Sequence, residues 1–207
     1  MAFVKRKNLE PVGQDERKQT RECADLFLSL KDDSATTRRW AARDMLHCPN
    51  AAAALVQHLQ SEQELSVREV ILSTLTQLGD ATAVAGLVDC LRSEDAALRN
   101  EAIEAMKLLP DEVAPMMMGL LADPDSDVRI FTVNILESLC HPDVESWLIE
   151  VITSDPHINV CATAVDLLSE VGTRAALEPL AQLKARFGDE PYIQFAANLA
   201  LRRIRQD

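Results

Sequence analysis

Aromatic side chains are scarce in this chain of 207 residues, at 4% against 47% apolar, so Ala, Leu and Val carry most of the apolar content. Such a composition suits closely packed helices, and no alternating apolar/polar run of strand type is present. Nor does any window approach the ~18 uninterrupted apolar residues that a membrane span needs. The basic start Met1-Ala2-Phe3-Val4-Lys5-Arg6-Lys7 has no apolar stretch behind it and does not read as a secretory signal, so a cytoplasmic protein is expected. The six glycines never fall in a phosphate-loop spacing, and no G-x-S-x-G elbow or Cys-His pattern is visible. That shortage of catalytic motifs leads to the expectation that the chain is not an enzyme and needs no cofactor. Five cysteines (Cys23, Cys48, Cys90, Cys140, Cys161) form an odd set without C-x-x-C and are expected to be reduced thiols filling small core positions. Basic residues are missing from the middle: residues 100–170 hold 14 Asp/Glu against Lys107 and Arg129 alone, within a net charge of −12. An acidic field of this kind repels phosphate backbones and favours basic partners, which excludes nucleic acid as a target.

What the chain does have is a period. Arg38, Arg68, Arg99 and Arg129 each open an apolar run, at steps of 30, 31 and 30 residues, and the register continues through Cys161 and Gln194 after steps of 32 and 33. A period of this length marks a solenoid whose units contact mainly their neighbours. Between the runs lie breaks that contain Gly or Pro, with Asp near each restart: Cys48-Pro49, Gly79-Asp80, Pro110-Asp111, Pro142-Asp143, Gly172-Thr173 and Gly188-Asp189. Proline cannot continue a helix, glycine tolerates the left-handed C-terminal position, and Asp or Thr caps the next amides. The fold expected is all-α, an α-α superhelix (right-handed solenoid) of about six helical pairs. A mobile arm over 1–13 would precede a single repeat domain over 14–207. Apolar positions of the second helices superpose: Val67, Ile71, Leu75 and Leu78, then Leu98, Ala102, Met106 and Leu109, then Val128, Thr132, Leu136 and Leu139.

The unit of two helices near 30 residues is carried by Ser66-Val67-Arg68, by Asp95 with Leu98-Arg99 and Ala102, and by Asp125 with Val128-Arg129. It resembles the HEAT repeat, and within it the short repeats of phycobilisome-lyase HEAT-like proteins. Over roughly residues 15–205 the resemblance departs at Cys161 and Gln194, where arginine would stand. It implies that the arginines form a ladder, each reaching the acidic residue four positions earlier (Glu64, Asp95, Asp125) and its counterpart in the adjacent repeat. HEAT-like di-iron hydroxylases carry repeated His-Glu pairs; this chain has none, so no metal is expected. Asp123, Asp125 and Asp127 imitate the start of a calcium loop, but Val128 stands where Gly is required and Asn134 where Glu is required.

Function is sought on the side of the second helices that usually lines the concave face of a solenoid. One column there reads Arg39, Glu69, Asn100, Ile130, Ala162, Phe195 and the next Trp40, Val70, Glu101, Phe131, Thr163, Ala196. The large apolar groups Trp40, Val70, Ile130 and Phe131 serve either a partner groove rimmed by Glu69, Glu101, Glu104 and Asp166 or the packing between repeats; both readings stay open. The first implies capture of a basic or amphipathic protein segment by a non-enzymatic scaffold or assembly module. The resemblance implies the alternative, a bilin or cofactor lyase or chaperone-like subunit, since proteins similar to this repeat attach or detach bilins on phycobiliproteins. Oligomeric state is not set by the sequence.

Overall fold

The computed structural model describes residues 22–206, and the expected arm over 1–13 lies outside them. Helices come in pairs: α1 (Cys23–Ser29) with α2 (Ala35–Asp44), α3 (Ala51–Leu59) with α4 (Leu65–Leu78), and α5 (Ala81–Cys90) with α6 (Ala96–Lys107). Next come α7 (Pro110–Val113) and α8 (Met117–Leu121), together one broken outer element, with α9 (Ser126–Leu136). Then follow α10 (Val144–Ser154) with α11 (Ile158–Val171) and α12 (Leu177–Arg186) with α13 (Pro191–Gln206). Among the described residues there is no strand, and the six pairs fall where the periodicity places them.

Local chemistry accounts for the boundaries. Ser34, Asp80, Asp95 and Asp125 cap α2, α5, α6 and α9 by accepting from backbone N–H groups in the first turn. Gly79 closes α4 with φ of 56°, a conformation that costs a residue with a Cβ. The outer helix of the fourth pair is not continuous. Pro115 falls inside it, cannot donate to the helical ladder and crowds the carbonyl four residues back, so Ala114–Met116 forms a tighter 3-10 turn between α7 and α8. This break splits the methionine run: Met117 is fully buried while Met118 is exposed.

Each second helix packs on the next, in the order α2, α4, α6, α9, α11, α13, and first helices such as α3 and α5, or α10 and α12, form the outer layer. One continuous apolar core runs from Leu26 to Ile204 between the layers. The superposed positions Val67, Ile71, Leu75, Leu98, Ala102, Met106, Val128, Thr132 and Leu136 are all buried in it. Thr132 is accommodated because its hydroxyl donates to the Val128 carbonyl at 2.7 Å. Layers approach closely at Gly86 of α5, where an added Cβ would lie 2.2 Å from Val56 Cγ2.

The cysteines depart from expectation. Cys23 and Cys48 form a disulfide that ties the start of α1 to the turn after α2, because the hairpin of the first pair folds Cys48 back to a Cα separation of 5.6 Å. Cys90, Cys140 and Cys161 are free, and Cys161 is buried as a small core group. Burial pushes the Cys90 thiol up to about 11.

Candidate functional site

The recurrent arginines are anchored at the inter-helix turns, with a geometry that differs from the one expected. Arg129 donates from Nη1 to the Asp123 carbonyl at 2.8 Å, six residues back, and grips the Asp155 carboxylate of the next repeat from Nε (2.6 Å) and Nη2 (3.1 Å). Arg38 repeats the arrangement with the Asp32 carbonyl at 2.9 Å and a forked pair to Glu62 at 2.7 and 2.8 Å. Arg99 donates to the Ser93 carbonyl at 2.6 Å, again six residues back. Arg68 crosses to Asp95 of the next repeat at 2.8 Å. The residue four positions earlier is not the intrarepeat partner, since Asp95 and Asp125 already accept from the first amides of their own helices. The turn residues have two tasks: Glu62, Asp123 and Asp155 each accept a backbone N–H two residues on while meeting an arginine from the repeat before, Arg92 in the case of Asp123. The Arg38 guanidinium beside Glu62 lowers that carboxyl to about 2, with backbone N–H and His58 adding to the effect.

At the two positions that lack arginine the stack finds substitutes. Cys161 Sγ points at the Asp155 carbonyl, 3.3 Å away and six residues back. Arg186 comes in from the end of α12, donating from Nη2 to the Ile152 and Asp155 carbonyls at 3.0 Å each, and lies 3.2 Å from Cys161 Sγ. Gln194 donates its amide to the Lys184 and Phe187 carbonyls at 2.8 and 3.1 Å. The departures therefore keep the turn-anchoring chemistry with other donors.

The sequence-derived site residues are spread along the row of second helices. Glu69, Glu101 and Glu104 come together: they line a groove of 570 Å³ between α4 and α6, with Leu72, Ala105 and the exposed Leu108 supplying apolar surface. Glu101 sits deepest. Its Oε2 is buried without a hydrogen-bond partner, 3.6 Å from Nε of Arg68, a residue only 4% exposed. Burial raises the Glu101 carboxyl, reinforced by Asp95 and Glu69 and opposed by Arg68. Glu104 pairs with Lys107 at 3.0 Å.

The rest occupy other stations. Trp40 on α2 is half-buried, with Arg43 stacked 4.1 Å over its ring. Val70, Ile130 and Phe131 are half-buried against the core, and the Arg99 guanidinium lies 5.5 Å from the Phe131 ring. Asp166 lines a smaller groove of 220 Å³ between α9 and α11 and accepts from the Tyr192 hydroxyl at 2.7 Å. Phe195 and Leu199 on α13, left out of the candidate set, are exposed; Phe195 ends the first of the two columns, which is the signal that could have found it.

Sequence comparison matches the family model for HEAT repeats over residues 24–107 and 113–202. Bilin biosynthesis protein PecE of Nostoc sp. (strain PCC 7120) is 36% identical over 74 residues, covering 35% of this chain and 29% of that protein. The Mastigocladus laminosus protein of the same name is 38% identical over 74 residues, covering 35% of this chain and 28% of that one. The match thus spans less than a third of either relative's length. Among solved structures, Cex1p covers 88% of this chain with a TM-score of 0.54 at 15% identity, over 42% of its own length, a likeness of fold alone. The bilin-related relatives overturn the expectation of a protein outside enzymology. That expectation rested on missing motifs, and a repeat scaffold that assembles its chemistry from distant residues or a partner displays none. Repeat register, paired helices and a family match over most of its length agree that the chain belongs to the HEAT-repeat family.

Proposed function

We propose that this protein works in bilin handling as a HEAT-repeat lyase subunit, holding a protein partner along its second-helix face while a bilin is attached to or removed from that partner. The identity of 36% over 74 residues with a bilin biosynthesis protein carries the reading. The geometry supports a division of labour. In the α4–α6 groove the carboxylates of Glu69, Glu101 and Glu104 surround an apolar floor, which suits a basic amphipathic segment whose methylene stems cover Leu72 and Leu108 while its cations meet the glutamates. A free bilin carries propionates that the same three carboxylates repel, so the groove is assigned to the protein partner and not to the pigment. Trp40, Val70, Ile130 and Phe131 extend the face with half-buried apolar surface, and Asp166 continues its acidic side. Binding strength would come mainly from the apolar groups and orientation from the carboxylates.

The test is spectroscopic. Purified protein is mixed with a bilin and a phycobiliprotein apoprotein, and the visible absorption and the pigment retained after denaturation are followed. A shifted spectrum and a changed amount of covalently held pigment, relative to the mixture without this protein, are expected. Identical spectra and identical covalent yield in both mixtures would overturn the reading.

A further inference from the structure

The last helix breaks a rule that the rest of the stack obeys. Tyr192, Phe195 and Leu199 on α13 are 53%, 63% and 46% exposed, and their spacing of three and four residues puts them on one stripe. In the five preceding repeats the same three positions hold Thr36, Arg39 and Arg43; Ser66, Glu69 and Ser73; Ala97, Asn100 and Glu104; Asp127, Ile130 and Asn134; Asn159, Ala162 and Asp166. Apart from Ile130 these are polar or small. Three large apolar groups exposed in a row on one helix face, where the other repeats carry polar or small ones, mark a surface that another molecule covers.

The charges at its two ends say what. Asp189 and Glu190 precede the stripe, and Asp166 joins them at that end through its bond to the Tyr192 hydroxyl. Arg202, Arg203 and Arg205 follow it in the last turns of α13. A stripe with acid at one end and base at the other is complementary to itself when turned around. We propose that α13 is a homodimerisation surface, in which the helix packs antiparallel on α13 of a second copy about a two-fold axis near Phe195. In that arrangement Tyr192 meets Leu199 of the other copy, the two Phe195 rings share the centre, and Arg202 and Arg203 face Asp189, Glu190 and Asp166 across the interface. Antiparallel helix dipoles add to the attraction, and an isologous contact of this kind closes at two copies. The stripe offers on the order of 350 Å² of apolar surface, against the ~800 Å² per partner of a standard interface, so a weak and reversible dimer is expected. This inference does not depend on the bilin reading.

Sedimentation equilibrium of the full chain over a range reaching on the order of 100 µM tests it. The wild type is expected to move from 22.9 kDa towards twice that mass as concentration rises. Phe195→Glu, and separately Leu199→Lys, should weaken association at least ~30-fold with helicity by circular dichroism unchanged, since both positions face solvent in the single chain. Arg202→Glu with Arg203→Glu, and separately Asp189→Lys with Glu190→Lys, should each be monomeric alone and associate on mixing. A wild-type chain that keeps the monomer mass throughout would overturn the proposal. So would a dimer that survives both single substitutions, or charge-reversed variants that do not associate on mixing; a partner of another kind would then cover the stripe.

Discussion

At the scale of single residues, the number of carbonyls and carboxylates each arginine reaches sets its value. Arg129 satisfies the buried Asp155 carboxylate with two bonds and holds a turn carbonyl as well. Arg129→Ala strands a buried charge and is expected to cost about 3 kcal/mol or more in chemical denaturation. Arg99, with one carbonyl and a ring face, should cost about 1 kcal/mol. Equal losses at the two positions would show that the crossing ion pair contributes nothing. Glu62 makes a prediction in pH. Its folded carboxyl titrates near 2 against an ordinary 4.5, so its contribution is complete above the unfolded value and is lost as pH falls from about 5 towards 2. The stability gap between wild type and Glu62→Gln should shrink by on the order of 2–3 kcal/mol over that interval, measured by urea melts at stepped pH. The arginine period was legible in the sequence, but its partners were not. Asp95 and Asp125 look like natural acceptors four residues away, and only the folded turn reveals that their oxygens already serve helix amides while the carbonyl six residues back points at the guanidinium.

At the scale of elements, helix ends were readable because glycine, proline and capping residues act through local backbone chemistry, whereas distances between helices were not. The contact of α3 with α5 depends on Gly86, a residue unremarkable in the sequence. Gly86→Ala would put Cβ 2.2 and 2.8 Å from the Val56 methyl carbons and 3.1 Å from its Cβ. Because β-branched Val56 has little rotamer freedom, the substitution should cost about 1–3 kcal/mol despite the better helix propensity of alanine. Val56→Ala in the same chain should recover part of that loss, and a double-mutant cycle showing strict additivity would place the strain elsewhere. The break at Pro115 was available to sequence reading, since a proline at the sixth position of an element that begins at Pro110 removes a ladder donor and disrupts the helix. The candidate site divides along the same line. Glu69, Glu101 and Glu104 share a groove because the period aligns them across neighbouring helices, while Trp40 and Phe131 stand on the flanking helices α2 and α9 outside its lining and Asp166 lines a separate groove between α9 and α11.

For the whole molecule, near-neighbour packing means that damage stays local. The Cys23–Cys48 disulfide closes a span of 25 residues inside the first pair, so its stabilisation, about 2–4 kcal/mol by loop-closure reasoning, is confined there. Replacing both cysteines with Ser should speed amide hydrogen exchange through α1 and α2 and leave α9 to α13 unchanged; a uniform rise along the chain would mean that the stack unfolds as one unit. No pattern in the sequence announced that bond, since five cysteines without a repeated spacing do not choose a pair, and the fold of the first hairpin does. The inward reach of Arg186 has a consequence in time. A chain of stacked repeats can fold from its first residues while the rest is still being synthesised, each pair closing on the one before. Each pair nonetheless leaves a contact open for the next: Glu62, Asp95 and Asp155 stand 24, 27 and 26 residues beyond their arginines, and the carbonyls of Ile152 and Asp155 wait for a guanidinium 31 or more positions downstream. On the ribosome each pair settles fully only once the next has emerged, and the fifth waits for the far end of α12.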